Sequence, residues 1–337
     1  MKIGSFDTDK QVFIIAEIGN NHEGSYTLAE ELIGRAVEAG ADAVKFQTFI
    51  PEFYVSSNDI VRLERLRCFQ LSFSEFERLA VQAKKTGLVF FSTPFDIASA
   101  KFLNGIQSVF KIASGDNTFY PLIDTVAGFG KPMIVSTGLV DLSMVEHIHD
   151  RIRRIWSKDR VAPGFALLHC VASYPVPLEQ ANLGAIAALK ARFPNAVIGY
   201  SDHTLGIEAA ICAVAGGARI LEKHFTLDKQ YSNFRDHQLS ADPADFRRLV
   251  DAIRLTEEMF GTGEKVAQPC EKEMGIFVRR SIAISRDLPA GTNLMMDDLT
   301  WVRPGTGIPP GNENFIVGHR LIRTIKQGEL ITLGDID

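Results

Sequence analysis

Short runs of β-branched and aromatic residues alternate with longer amphipathic segments, and the pair repeats eight times before residue 262. The runs at 13–16, 43–47, 88–93, 109–114, 133–137, 165–170, 197–202 and 219–225 are nearly all apolar, as strands covered on both faces must be. A parallel sheet with helical crossovers follows. The helical pattern at 28–39 is bracketed by Thr27-Leu-Ala-Glu30, a capping-box spacing, and by Gly40, a C′ glycine; Ser72-Phe-Ser-Glu75 opens the next in the same way. Eight such units over about 260 residues match a (β/α)8 TIM barrel, and no G-x-G-x-x-G follows the first strand to suggest a doubly wound sheet.

After Gly261-Thr-Gly263 the texture changes. Residues 264–274 are polar, and from Arg280 short apolar pieces are punctuated by Pro289, Gly291, Pro304, Gly305, Gly307, Pro309, Pro310 and Gly311. The predicted division is a barrel over 1–263, a linker at 264–274 and a small, β-rich, turn-rich domain over 275–337.

Composition narrows the functions. With 46% hydrophobic and 23% charged residues the chain is neither disordered, collagenous nor coiled coil. A net charge of −5, evenly spread, marks no surface for nucleic acid or for a membrane, so an anionic ligand has to be met by locally placed cations. No apolar run approaches a membrane span, and the first ten residues lack an apolar signal-peptide core, so a cytoplasmic protein is expected. Cys68, Cys170, Cys212 and Cys270 lie far apart without a C-x-x-C pair, which predicts reduced and mostly buried thiols.

In a barrel of this kind the reacting groups stand at the C-terminal ends of the strands, and here those ends are polar throughout. They carry Glu17, then Lys45 and Gln47, Ser92 and Thr93, Lys111 with Ser114-Gly115-Asp116, Ser136-Thr137-Gly138, His169-Cys170, Ser201-Asp202-His203-Thr204, and Glu222-Lys223-His224. Lys45 and Lys111 sit inside apolar strands, where an unpaired ammonium costs several kcal/mol, so each demands an anion. That anion is either a carboxylate of the protein, from Glu17, Asp42, Asp116 or Glu222, or a bound phosphate or carboxylate. Ser114, Ser136 and Ser201 add hydroxyls of the kind a phosphate cradle uses. His203 and His224, on adjacent strands, either share one divalent ion or are ordinary hydrogen-bonded histidines of the interior. Together these groups suit chemistry on a phosphorylated acid, with Glu17 available for proton transfer.

Ile15-Ala-Glu-Ile-Gly-Asn-Asn-His-Glu-Gly24, Gly40-Ala-Asp-Ala-Val-Lys-Phe-Gln47, Lys111-Ile-Ala-Ser-Gly-Asp116, Ser201-Asp-His-Thr204 and Glu222-Lys-His-Phe-Thr226 resemble the sialic acid synthase family, and the stretch from Arg280-Ser-Ile through Val302-Arg-Pro-Gly305 resembles its C-terminal antifreeze-like (SAF) domain. The resemblance implies condensation of phosphoenolpyruvate with an N-acylated amino-hexose to give a nonulosonic acid and phosphate, with a divalent metal, usually Mn2+. It implies that His203 and His224 hold the metal, that Lys45, Thr93, Lys111, Ser114, Ser136 and Ser201 bind phosphoenolpyruvate, and that Glu17 is the catalytic carboxylate. It further implies sugar contacts from Asp116, Tyr174 and Asp236, and from Arg303 reaching the neighbouring subunit of a domain-swapped homodimer.

Three stretches depart from the family pattern: His169-Cys-Val-Ala172, Asp116 in place of Glu, and Ser232-Asn-Phe-Arg-Asp236 in place of Pro-Gly-Pro-Asp. They are expected to face the sugar, which leaves legionaminate, pseudaminate and spore-coat polysaccharide synthases as alternatives. Two other classes compete. A class I aldolase would use Lys45 or Lys111 as a Schiff base and would have no use for paired histidines. A binding module would give the two lysines and the polar strand ends no purpose.

Overall fold

Alternation within the buried strands builds the barrel from the inside. The computed structural model describes residues 1–337 as two compact units, Met1–Gly261 and Thr262–Asp337. In the first, a short antiparallel hairpin of β1 (Lys2–Ile3) and β2 (Phe6–Asp7) precedes eight strands: β3 (Phe13–Gly19), β4 (Ala43–Thr48), β5 (Val89–Pro94), β6 (Phe110–Ile112), β7 (Met133–Ser136), β8 (Phe165–Cys170), β9 (Val197–Asp202) and β10 (Ile220–His224). The ladder runs β5-β4-β3-β10-β9-β8-β7-β6, parallel throughout, and β5 packs beside β6 to complete the ring. This is the TIM barrel that the periodicity predicts.

One set of strand residues, Ile14, Ala16, Val44, Phe46, Phe90, Ile112 and Val135 among them, packs with the surrounding helices. The alternate set, Phe13, Ile15, Ala43, Phe91, Val109, Ile134, Ala166, Leu168 and Ile220, makes a separate apolar cluster inside the ring, with Ile3 and the partly buried Met1 and Phe6 of the hairpin packed into it. At Gly199 a Cβ would fall 2.4 Å from the Ile220 carbonyl and 2.5 Å from Leu168 Cδ2, so no other residue fits that interior position. Two residues farther along each strand the same inward row turns polar: Glu17, Lys45, Thr93, Lys111, Ser136, Cys170, Ser201 and Glu222. The interior is thus greasy at the hairpin end and polar at the C-terminal end, and the period-two rule alone delivers one polar side chain per strand to the site.

The crossover after β4 is longer than expected. Besides α1 (Tyr26–Glu38), the chain forms α2 (Pro51–Tyr54) and α3 (Ile60–Phe69) before α4 (Phe73–Lys85), which the Ser72 and Glu75 capping box opens as predicted. For α1 the cap is corrected: Ser25, not Thr27, accepts from the Leu28 N–H, so the helix starts a turn-fraction earlier, while Gly40 does take the left-handed conformation at φ +84°. The thiol expectation is also corrected. All four cysteines are free, but only Cys170 is buried, because the other three fall on helices or segments whose packed faces they do not share.

The C-terminal unit contains a 3-10 turn at Pro269–Glu271 and a helix at Lys272–Val278, so the segment 264–274 is not featureless chain. Beyond it β11 (Ser281–Ile284) pairs antiparallel with β12 (Leu299–Val302). Ile282, Ile284, Leu288, Leu294, Leu321, Ile325 and Ile331 give this unit its own core, and isolated bridges such as Ala283 to Leu330 and Leu288 to Ile325 tie its turns together. No helix of the chain is long and apolar enough to cross a membrane.

Candidate active site

The polar ends of the barrel rows open into a cavity of about 640 Å³. Twelve expected residues line it: Glu17, Lys45, Thr93, Lys111, Ser114, Asp116, Ser136, Tyr174, Ser201, His203, His224 and Asp236. Arg303 belongs to the C-terminal unit, immediately after β12. His169 points elsewhere, its Nε2 bonded to the Ala181 carbonyl at 2.8 Å and its ring stacked on Tyr200, so of the His169–Ala172 stretch only Cys170 and Ala172 reach the cavity.

At the floor, two lysines and two glutamates form a buried tetrad. Lys45 Nζ lies 2.8 Å from Glu17 and 3.7 Å from Glu222, and it donates to Thr93 Oγ1 at 3.0 Å. Lys111 Nζ lies 3.6 Å from Glu222. The protein therefore supplies the anions the two lysines require, from Glu17 and Glu222; Asp42 is engaged by Arg254 at 2.7 Å, and no cation lies within ion-pair reach of Asp116. Glu222 is a site residue that sequence reasoning left as a bland partner. Its signal was its place two residues before His224 on a strand that should be apolar.

Burial sets the charges. It lifts Glu17 from the usual carboxylate value to about 7, against the pull of Lys45 and with help from the neighbouring Glu222. Glu222 is held low despite its burial, because both ammonium groups and the Ser201 hydroxyl at 3.1 Å favour its anion. Burial also pushes Lys111 down, opposed chiefly by Glu222. Glu17 is oriented from outside the tetrad: Gln47 donates to its Oε1 at 3.2 Å and is itself held by Asn20 at 2.9 Å.

Beside Lys111, the 3-10 turn Ser114–Asp116 brings Ser114 Oγ to accept from the Gly138 N–H at 3.1 Å, and Asn117 donates to the carbonyls of Ser136 and Gly138. Ser136 Oγ is buried with no partner, a free hydroxyl beside a lysine, which is what a phosphate cradle needs. Asp116 sits higher in the cavity, its Oδ2 unpartnered and its carboxyl pushed up to about 6 by burial.

His203 and His224 stand with ring centroids 5.4 Å apart. His203 Nδ1 donates to the Val171 carbonyl at 2.9 Å, so the lone pair of the neutral ring is on Nε2; against the effect of burial, the neighbouring Cys170 lifts this ring above the ordinary imidazole value. His224 is buried with Nδ1 unpartnered, and burial, reinforced by the charges of His203 and Lys45, holds it well below the ordinary imidazole value, hence neutral. Two imidazoles with unused nitrogens, His224 already neutral and His203 once it gives up its proton, are the donor chemistry a first-row divalent ion takes. No third His, Cys, Asp or Glu joins them in a ligand cluster, so any ion there would complete its shell with water or substrate oxygens. Tyr174 packs against His203 with centroids 4.1 Å apart, and buried Asp236 completes that wall.

The network continues outside the ring. Asp202 and Lys223, adjacent to the two histidines in sequence but turned to the helix side, form an ion pair of 2.8 Å with both side chains at most 1% exposed. Asp202 also accepts from Tyr200, and from the Thr204 N–H and hydroxyl, which pins the ends of β9 and β10.

The NeuB family model matches residues 32–265, and the SAF domain model matches residues 279–337. The chain is 39% identical to the N,N'-diacetyllegionaminic acid synthase of Legionella pneumophila, over 94% of this chain and 92% of that protein. It is 42% identical to an uncharacterized protein of Methanocaldococcus jannaschii, over 96% of this chain and 94% of that one. Among solved structures, the sialic acid synthetase of Leptospira borgpetersenii in complex with citrate superposes with a TM-score of 0.75 at 34% identity, covering 81% of this chain and 94% of that one.

Proposed function

The chain belongs to the NeuB family and is an enzyme, and from that premise we propose that it condenses phosphoenolpyruvate with an N-acylated amino-hexose of the N-acetylmannosamine type, giving a nonulosonic acid and free phosphate. The observation that carries this reading is the single cavity in which the lysine pair, the free Ser136 hydroxyl and the two imidazoles converge.

In this reading Lys45 and Lys111 meet the phosphate and carboxylate of phosphoenolpyruvate, joined by Ser114, Ser136, Ser201 and Thr93. The substrate anion takes over the lysines that Glu17 and Glu222 hold in its absence. The methylene carbon of the enol attacks the aldehyde carbon, water adds at the phosphate-bearing carbon, and that carbon loses phosphate to become the ketone. Glu17 holds a proton up to about pH 7 and supplies it to the aldehyde oxygen. Asp116, Tyr174 and Asp236 face the sugar. A divalent metal, manganese first, would be held by His203 and His224 and would supply Lewis-acid polarisation.

We further propose a cytoplasmic homodimer in which Arg303 of one subunit serves the sugar in the barrel of the other. The deciding experiment is incubation with phosphoenolpyruvate, manganese and a panel of N-acylated and N,N'-diacylated hexoses, with product mass as readout. Phosphate release that does not depend on any sugar, or no new acid at all, overturns the reading. Lowered basicity at Lys111 is the one observation that favours a Schiff-base aldolase; trapping of Lys111 by borohydride in the presence of substrate would establish that alternative.

A further inference from the structure

Above the cavity lies an outer vestibule of about 820 Å³, lined by Arg62, Arg65, Phe69, Phe234, Arg235, Glu23, Ser232 and Asn233, the first five of which also border the inner cavity. Its charge is unlike that of the rest of the protein. Three guanidinium groups face one carboxylate, in a chain whose net charge is −5.

Two of the three arginines make no ion pair at all. Arg62 and Arg65, three apart on α3, present one face to the vestibule, and neither has a carboxylate within 4 Å. Arg67 on the same helix, outside the vestibule, is saturated by Glu52 at 2.8 Å and Glu64 at 2.6 Å. Arg62 is placed instead over the ring of Tyr54 at 5.3 Å, and Arg235 over Tyr174 at 4.7 Å, contacts that fix a guanidinium while leaving its N–H donors to point elsewhere. Arg235 pairs with its neighbour Asp236 only through Nε, at 3.4 Å, which leaves its two terminal nitrogens without a carboxylate. The single acidic lining group, Glu23, is already engaged by the Ser232 hydroxyl and by His237 at 3.3 Å. Tyr174 packs in turn against His203, so Arg235 is one aromatic ring away from the imidazole pair.

We infer that this vestibule binds a phosphate ester on the acceptor sugar, carried at the end remote from the aldehyde, so that the product is a phosphorylated nonulosonic acid. The inference rests on the proposed condensation for the location of the aldehyde. Guanidinium groups of which two have no carboxylate partner and the third keeps its terminal nitrogens free suit a tetrahedral dianion, and the Asn233 amide adds a neutral donor. The phosphate of phosphoenolpyruvate has its own cations below, at Lys45 and Lys111.

The test compares N-acetylmannosamine 6-phosphate with N-acetylmannosamine, in turnover with phosphoenolpyruvate and in calorimetric binding, using wild type, the double variant R62Q/R65Q and the control R67Q. The wild type should prefer the phosphorylated sugar in kcat/KM by about tenfold or more. That ratio should fall toward one in R62Q/R65Q and hold in R67Q. A wild type that uses the neutral sugar as well or better overturns the vestibule assignment and leaves the condensation standing. If neither sugar turns over, the proposed condensation fails by itself, and calorimetry still decides the vestibule: tighter binding of the phosphorylated sugar that R62Q/R65Q abolishes supports it, while equal binding, or the same response to inorganic phosphate alone, overturns it.

Discussion

Replacing Glu222 with Gln tests whether the floor of the cavity is a charge-balanced tetrad. Glu222 lies 3.7 Å from Lys45 and 3.6 Å from Lys111, and at an effective permittivity of about 20 each attraction is worth about 4.5 kcal/mol. At pH 8 both glutamates are ionised and the four charges cancel; the variant leaves two buried ammonium groups facing Glu17 alone. The roughly 9 kcal/mol of lost attraction is offset by relief of the carboxylate's own burial and of its repulsion with Glu17. The net destabilisation should be about 3 to 5 kcal/mol, the usual result of orphaning a buried charge. For a domain of this size that lowers the melting temperature by roughly 6 to 20 °C, readable by scanning calorimetry at pH 8. K45M/E222Q, which removes one charge of each sign, should recover at least half of the loss. Phosphoenolpyruvate should restore more stability to E222Q than to wild type, since its anionic groups now meet lysines with no internal competitor. An E222Q protein that melts within 2 °C of wild type would mean that the lysines are not both charged in the fold, and the cradle would lose its basis.

Lys45→Met and Lys111→Met should each weaken phosphoenolpyruvate binding about ten- to a hundredfold in calorimetry, the worth of one charge-assisted contact; unchanged affinity would make that lysine purely structural. Glu17→Gln should keep phosphoenolpyruvate affinity and lose turnover, and it should also alter stability against pH. Because the carboxyl is raised from about 4.5 to about 7 on folding, the folded chain binds the extra proton in that window, so wild-type stability falls by about 3 kcal/mol as pH rises through it, and denaturant melts of E17Q should lack that fall. Product formation should stop after verified metal removal and return with manganese, while H203A and H224A stay inactive; activity in the metal-free protein would remove the ion from the reading. Mixing E17Q with R303A under conditions of subunit exchange should restore about a quarter of wild-type activity if each site draws on two chains, and nothing if it does not.

Much of this site is legible in the sequence because strand periodicity does the placing. Once eight apolar runs are read as barrel strands, a polar residue in an inward row near the C-terminal end has one destination, and Lys45, Lys111, Ser136, Ser201 and Glu17 reach the cavity on that rule alone. Pairing is less legible. Nothing local in the sequence says that Glu222 is shared by two lysines from β4 and β6, since the barrel brings together residues more than a hundred positions apart. Helix α3 was missed for a different reason. Only Leu63 and Leu66 of its ten residues are buried, so its hydrophobic periodicity is faint. The cap of α1 was misplaced because Ser25 and Thr27 are both good caps two residues apart, and only the backbone conformation chooses between them.

That thin anchoring of α3 bears on how such an enzyme changes over generations. A substitution in the inward rows of the barrel falls either on the packed floor or on a group that lines the cavity, and Gly199 has no room for a methyl group. Arg62 and Arg65 project from an exposed face of a helix held by two leucines, and Arg235 opens a short helix, Arg235–Leu239, so replacing them costs little folding free energy. On the vestibule proposal, bond-making chemistry and acceptor choice are inherited on separate tracks, one tightly constrained and one free to drift. A lineage can trade one sugar for another through a handful of rim mutations that never pass through an unfolded or catalytically broken intermediate.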